Sequence, residues 1–169
     1  MSSEMSRLDS MIRRLEAQRA CIEWALRSIE PLDGVILELG LGNGRTFDHL
    51  REHSGQRDIY VFERAPAAHP DSTPLAPYLI EGDFRESLQN QRPILAQQAA
   101  LAHCDIGSGH ADRDRQLAID IGPILNDLLC PGAIVLSDQE FAVPEWQTLP
   151  GPAHVPKGRY YIYQKKDQS

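Results

Sequence analysis

The stretch Val35-Ile-Leu-Glu-Leu-Gly-Leu-Gly-Asn-Gly44 constrains what this chain can fold into more than any other. Val35 to Leu39 is aliphatic apart from one acid, the composition of a strand buried on both faces. It runs directly into Gly40, Gly42 and Gly44, alternate positions where the backbone can turn tightly and a ligand can approach the main chain. The following residues, Arg45 to His53, put Phe47 and Leu50 on one face of a short helix. Strand, glycine turn and helix together make a unit that binds nucleotide-like molecules.

The spacing narrows the ligand. A dinucleotide fingerprint, G-x-G-x-x-G, requires a third glycine where this chain has Arg45. A phosphate cradle would carry a Lys after the glycines and no acid at Glu38, because its ligand is polyanionic. An acid, one residue and then G-x-G-x-G instead resembles motif I of the S-adenosylmethionine-dependent methyltransferases of the Rossmann-like class, carried here by Glu38, Gly40, Gly42 and Gly44. Their cofactor holds a sulfonium and an ammonium, both attracted by a nearby carboxylate.

Three further segments follow in the order the resemblance requires. Asp58-Ile-Tyr-Val-Phe-Glu63 reads as a second strand ending in an acid, at the position where an acid hydrogen-bonds ribose hydroxyls. Leu79-Ile-Glu-Gly-Asp83-Phe84 is similar to the family's third strand and adenine-binding turn, which implies that Asp83 meets the exocyclic amine and the Phe84 amide a ring nitrogen. Leu128 to Asp138 resembles a helix end, a Pro-Gly turn and a fifth strand. The resemblance covers residues 32–138. It implies adenosylmethionine as cofactor, with Glu38, the turn Gly40-Leu41-Gly42-Asn43-Gly44, Glu63, Asp83, Phe84 and Asp105 binding it.

The expected architecture is α/β: a three-layer Rossmann-like methyltransferase fold with a mainly parallel sheet, an antiparallel C-terminal strand and a truncated late helix. Ser6 with Asp9 forms a capping pair opening a helix that runs to Pro31, as one piece or as two joined near Gln18. Its apolar stripe is Leu8, Met11, Ile12, Leu15, Ile22, Leu26 and Ile29, widened later by Ala17, Ala20, Cys21 and Trp24. Residues 1–31 are expected to cap a core of residues 32–169. Pro66 to Pro74 replaces the helix that would join the second and third strands. Ala99 to Asp105 reads as the fourth strand, and Arg115 to Leu129 as a helix despite Pro123. Prolines and glycines between Pro144 and Gly158 leave little room for a late helix, so Tyr160 to Gln164 is expected antiparallel beside the fifth strand, with Glu145 to Leu149 a short edge piece or loop.

Composition excludes several functions. At 169 residues the chain suits one domain with a sizeable core. A net charge of -7, with the few Lys near the C-terminus, argues against a nucleic-acid backbone as substrate. Met1 to Ser10 is polar, no apolar run is long enough to span a membrane, and charges in residues 1–30 cancel. Cys21, Cys104 and Cys130 lack metal-ligand spacing and suit free thiols in the cytoplasm.

Candidate catalytic groups at the carboxyl edge of the sheet are Asp105 and His110, the imidazole having the intrinsic pKa of a base near neutrality. His103 is the weaker candidate because it can point into the strand packing; His49 and His53 read as helix-surface residues. Asp105 with Asp138-Gln139 resembles the divalent-metal site of catechol-type O-methyltransferases. That family's acid-rich sequence is replaced here by Ile106-Gly-Ser-Gly, so no metal is assigned. The expected function is methyl transfer from adenosylmethionine to a small-molecule acceptor by a homodimer or higher homo-oligomer. The alternatives are a catalytically silent adenosylmethionine-binding or structural oligomer and an aminopropyltransferase, whose acid-rich acceptor site has no counterpart here.

Overall fold

The computed structural model describes residues 5–156 and 160–167. Gly158, Arg159 and Met1 to Glu4, which the sequence reading includes in the late loop and the N-terminal cap, lie outside them. Among the described residues there are seven strands and four α-helices: α1 Arg7–Ser28, β1 Val35–Leu39, α2 Arg45–His53, β2 Ile59–Glu63, β3 Leu79–Glu81, α3 Phe84–Leu95, β4 Ala99–Cys104, α4 Ala111–Leu128, β5 Leu129–Ser137, β6 Trp146–Thr148 and β7 Tyr161–Lys165. They form one sheet in the order β3-β2-β1-β4-β5-β7-β6. β1 to β5 are parallel, and β7 runs antiparallel to both β5 and β6. Strand order reverses between β1 and β4, the switch point at which open α/β sheets bind ligands.

The N-terminal helix is a single one. Ser6 caps it, its side chain accepting from the Asp9 amide at 3.0 Å, and no break occurs at Gln18. At its other end Arg57 donates to the carbonyls of Ile29, Leu32 and Gly34 at 2.9, 2.6 and 2.8 Å, tying the helix exit to the lead-in of β2. The packed face is Ala17, Gln18, Cys21, Ile22, Ala25 and Ile29, while Leu8, Met11 and Ile12 are exposed. Both stripes therefore contribute to the contact, Ile22 and Ile29 from the first and Ala17 and Cys21 from the second, and the start of the first stays exposed because only the later part of α1 lies against the sheet.

One face of the sheet carries α1 and α2, with Ile36, Val61, Leu101, Ile134 and Leu136 inward; the other carries α3 and α4 over Leu37, Leu39, Ala102 and Val135. Alternation along β1 and β4 puts Glu38 and His103, a register pair, on the α1 face. The β2–β3 connection holds only the short 3-10 turn Pro70–Ser72. α4 begins at Ala111, four residues before the sequence reading, since the Ser108-Gly-His loop leads directly into it. Pro131 and Gly132 lie within β5 rather than before it, at a register shift against Ala99 and Leu101.

Buried thiols and phenols in this core favour their neutral forms. Burial pushes the Cys21 thiol up to about 11, and Cys104 and Tyr160 well above their ordinary values. The unfolded chain ionises these groups first, so stability is full below pH 9 and falls as pH climbs towards 11. A pKa that differs by one between the folded and unfolded chain corresponds to about 1.4 kcal/mol, so Cys21 alone removes on the order of 2 kcal/mol. Thermal melts should show the midpoint dropping above pH 9.5, with Cys21→Ala flattening that drop.

Candidate active site

Gly40 ends β1 with φ +92°, and a Cβ there would stand 2.2 Å from the carbonyl oxygen of Asp105. Only glycine allows β1 and β4 to come this close at their carboxyl ends. Gly44, at φ +84°, is similarly pressed against Ser72, whereas a Cβ on Gly42 would meet nothing within 4 Å. The turn is therefore fixed at both ends and open in the middle, with Gly42 and Asn43 exposed.

The turn separates two cavities. The first, about 530 Å³, is lined by Gly40, Glu63, Asp83, Phe84, Asp105 and the loop Ile106 to Ser108. Five of the residues that the sequence assigns to the cofactor thus lie around one space. Glu63, half-buried, accepts the Leu41 amide on Oε2 at 3.1 Å, leaving Oε1 for another partner. Asp83 caps α3, accepting the Arg85 amide at 2.9 Å. The second cavity, about 330 Å³, lies between α1 and the start of α2, lined by Ile12, Leu15, Gln18, Ile22, Arg45 and Thr46 among others.

Glu38 does not stand free behind the turn. Its Oε1 accepts from His103 Nδ1 at 2.6 Å, and both side chains are fully buried. His103 Nε2 accepts from the Tyr160 hydroxyl at 2.6 Å, and Gln18 Nε2 donates to the same phenol oxygen at 3.1 Å. The chain of bonds crosses from β1 through β4 and the entry to β7 to helix α1. Burial, partly opposed by His103, raises the Glu38 carboxyl above its usual range. For His103, burial favours the neutral ring, but Glu38 beside it outweighs burial and raises the imidazole. Glu38 Oε2 has no hydrogen-bond partner among the described residues.

Asp105 is half-buried at the end of β4, beside Asp138. Asp138 accepts the amides of Ile106 at 3.0 Å and Gly107 at 2.9 Å, so both its oxygens hold the β4–α4 loop. Burial raises its carboxyl, and the loop amides pull it back. Asp114 anchors the same loop through the Ser108 amide. His110 is exposed at the start of α4 and lines neither cavity. Sequence reading misses Gln18 and Tyr160: a glutamine inside an amphipathic stripe and a tyrosine in an aromatic strand carry no signal until the fold unites them. His103 does point into the strand packing, as its sequence context suggests, and there it finds two polar partners.

The cofactor's requirements fit these residues. An open glycine turn and a larger cavity lined by four carboxylates, Glu63, Asp83, Asp105 and Asp114, against three guanidinium groups, Arg64, Arg85 and Arg113, suit a cationic nucleoside better than a polyphosphate. Strand order, antiparallel β7 and the glycine turn at the switch point define the fold of the Rossmann-like adenosylmethionine-dependent methyltransferases. The chain belongs to the S-adenosyl-L-methionine methyltransferase family, whose model matches residues 5–165. The crystal structure of an S-adenosyl-L-methionine methyl transferase from Silicibacter pomeroyi DSS-3 is 42% identical, with 96% of this chain and 99% of that one covered and a TM-score of 0.89. The fold alone is shared with a sugar N-methyltransferase from a Streptoalloteichus species, at 19% identity, TM-score 0.52 and coverage of 89% and 63%. It is also shared with the Methanococcus jannaschii fibrillarin pre-rRNA processing protein, at 14% identity, TM-score 0.54 and coverage of 80% and 68%. No curated protein matches the chain.

Glu63→Ala should weaken adenosylmethionine binding at least tenfold, because charge-assisted bonds contribute roughly 1.5 to 3 kcal/mol each and about 1.4 kcal/mol is a factor of ten. The melting temperature without cofactor should change little, and calorimetric titration checks the affinity.

Proposed function

We propose that the chain methylates a small-molecule acceptor that enters the cavity between α1 and α2, while the cofactor occupies the larger cavity across the glycine turn. In this reading Glu63 holds the ribose, Asp83 and the Phe84 amide the adenine, and Glu38 with Gly40 to Gly44 orients the methionyl part. Asp105 stands at the sulfonium. The bound cofactor supplies an electrophilic methyl group, and the acceptor's lone pair forms the new bond as the carbon–sulfur electrons return to sulfur. Everything else falls to the protein: aligning the acceptor about 3 to 3.5 Å from that carbon, excluding water and removing a proton.

The observation that carries this reading is the Glu38–His103–Tyr160 chain, joined to the lining of the smaller cavity through Gln18. In the neutral His103 tautomer that donates from Nδ1 to Glu38, Nε2 accepts from Tyr160, and in this reading the phenol oxygen takes the acceptor's proton as its own moves to the imidazole. Glu38 then faces the resulting imidazolium at 2.6 Å. Gln18, which lines the cavity and donates to the phenol, orients that oxygen. Of the two catalytic groups expected from sequence, Asp105 keeps its place in this reading. The base moves from the exposed His110 to Tyr160, which lines neither cavity itself but is joined to the smaller one through Gln18 in that cavity's lining.

The proposal places the protein in the cytoplasm, in keeping with three unpaired thiols; no described helix is long and apolar enough to cross a membrane. Residues 1–31 act as a cap on the core of 32–169. The exposed Leu8 and Met11, 68% and 57% accessible, are the surface on which a second copy would pack in a homo-oligomer.

Two experiments test this. Screening phenols, amines and carboxylates with labelled cofactor should find an acceptor for which Tyr160→Phe lowers kcat about 100-fold, within the range of general base catalysis, with unchanged affinity for the demethylated product. Equal kcat in the variant would remove the relay from the mechanism. Leu8→Glu combined with Met11→Glu should convert an oligomer to monomer by light scattering without lowering the melting temperature, since neither side chain is buried.

A further inference from the structure

On the outer side of α1, away from the relay, Glu23 meets His49 and His53 of α2. The two histidines are four residues apart, on one face of the helix. His49 Nε2 lies 3.1 Å from Glu23 Oε1, and the imidazole centroids are 4.1 Å apart. One ligand atom from each of the three lies within 4.8 Å of the other two, and among the described residues no other group of three His, Cys, Asp or Glu does so. Around a tetrahedral zinc ion with bonds near 2.05 Å, neighbouring ligand atoms stand about 3.3 Å apart. The Glu23–His49 pair is near that spacing, and the third ligand closes it by side-chain rotation.

We propose that Glu23, His49 and His53 bind a divalent cation of the zinc class and that the ion clips α1 to α2. His53 Nδ1 lies 2.9 Å from the carbonyl of His49 and donates to it. That bond fixes the tautomer and presents the Nε2 lone pair outward, as the outer hydrogen bond of a metal-bound histidine does. Two imidazoles and one carboxylate select zinc, cobalt or nickel over magnesium or calcium, which prefer all-oxygen shells. Three protein ligands leave a fourth position for water, and two of the three, Glu23 and His53, line a polar cavity of about 670 Å³ together with Glu30 and Arg27. Arg57, which also lines it, is held away by three backbone carbonyls.

The clip bears on the methyltransferase site without depending on which acceptor that site takes. His49 also lines the cavity between α1 and α2, and α1 carries Gln18, the donor to Tyr160. Joining Glu23 to α2 therefore fixes the helix that roofs the cavity.

Titration of the full chain with Zn²⁺ by calorimetry, and with Co²⁺ by visible absorption, tests the site. Expected are one ion per chain, a tetrahedral cobalt spectrum without thiolate charge transfer, a rise in melting temperature with Zn²⁺ and none with Mg²⁺. Glu23→Gln and His53→Asn should each weaken Zn²⁺ at least about tenfold. Zn²⁺ should slow hydrogen exchange around Gln18 in the wild type and not in His53→Asn. No stoichiometric binding, affinity unchanged in both variants, or a cobalt spectrum dominated by thiolate would overturn the proposal. Unchanged exchange around Gln18 on zinc binding would overturn the clip.

Discussion

The contact between Gly40 and the backbone of Asp105 is the constraint on which the rest of this molecule depends. A single methyl group on Gly40 would meet the Asp105 carbonyl at 2.2 Å, so any other residue would force β1 and β4 apart at the edge that the larger cavity occupies. Their closeness brings the Asp105 amide onto the Leu39 carbonyl at 2.9 Å and extends pairing past the ends of both strands. The glycine turn is then a wall shared by two cavities: Gly40 lines the larger, and Arg45 and Thr46, just past the turn, line the smaller. In methyl transfer the acceptor and the departing sulfur stand on opposite sides of one carbon, so the two cavities have to open onto each other at that carbon.

Below that wall the protein buries an ion-forming pair. Isolated charges in a protein interior cost several kcal/mol each, and a partner offsets this only with good geometry and further hydrogen bonds. Glu38 and His103 have the geometry, and Tyr160 supplies one further bond. Glu38 Oε2 has no partner in full hydrogen-bond geometry among the described residues, although the Thr46 hydroxyl is near enough to lower its carboxyl. The register pairing of Glu38 with His103 fixes both side chains on the α1 face, so a slip by one residue would move both to the α3 and α4 layer. Fold and site are thus specified by the same pairing.

Much of the fold was legible because the signals were local. Aliphatic runs ending in acids marked β1 and β2, the capping pair at Ser6 marked α1, and prolines marked the missing crossover helix. The antiparallel β7 followed from the lack of room for a helix after Asp138. The site was less legible. Glu63, Asp83 and Asp105 could be named because strand ends converge in this topology. The Gln18–Tyr160–His103–Glu38 chain could not be, since its members are up to 142 residues apart and joined only by tertiary packing. The periodicity of α1 also misled at its start: Leu8, Met11 and Ile12 continue the apolar stripe, yet the sheet beneath the helix does not extend that far.

Helix α1 therefore has a different neighbour along each part of its length. Its first turns carry exposed apolar side chains, Gln18 and Ile22 close the smaller cavity, and Glu23 reaches across to α2. Gln18 and Glu23 are five residues apart, about 140° around the helix, so one faces the sheet while the other faces α2. A rotation of α1 that lengthened the Gln18–Tyr160 bond would also separate Glu23 from His49. The converse holds as well: whatever holds Glu23 against α2, whether the hydrogen bond to His49 or an ion shared with it, also holds the phenol oxygen of Tyr160 in line with His103.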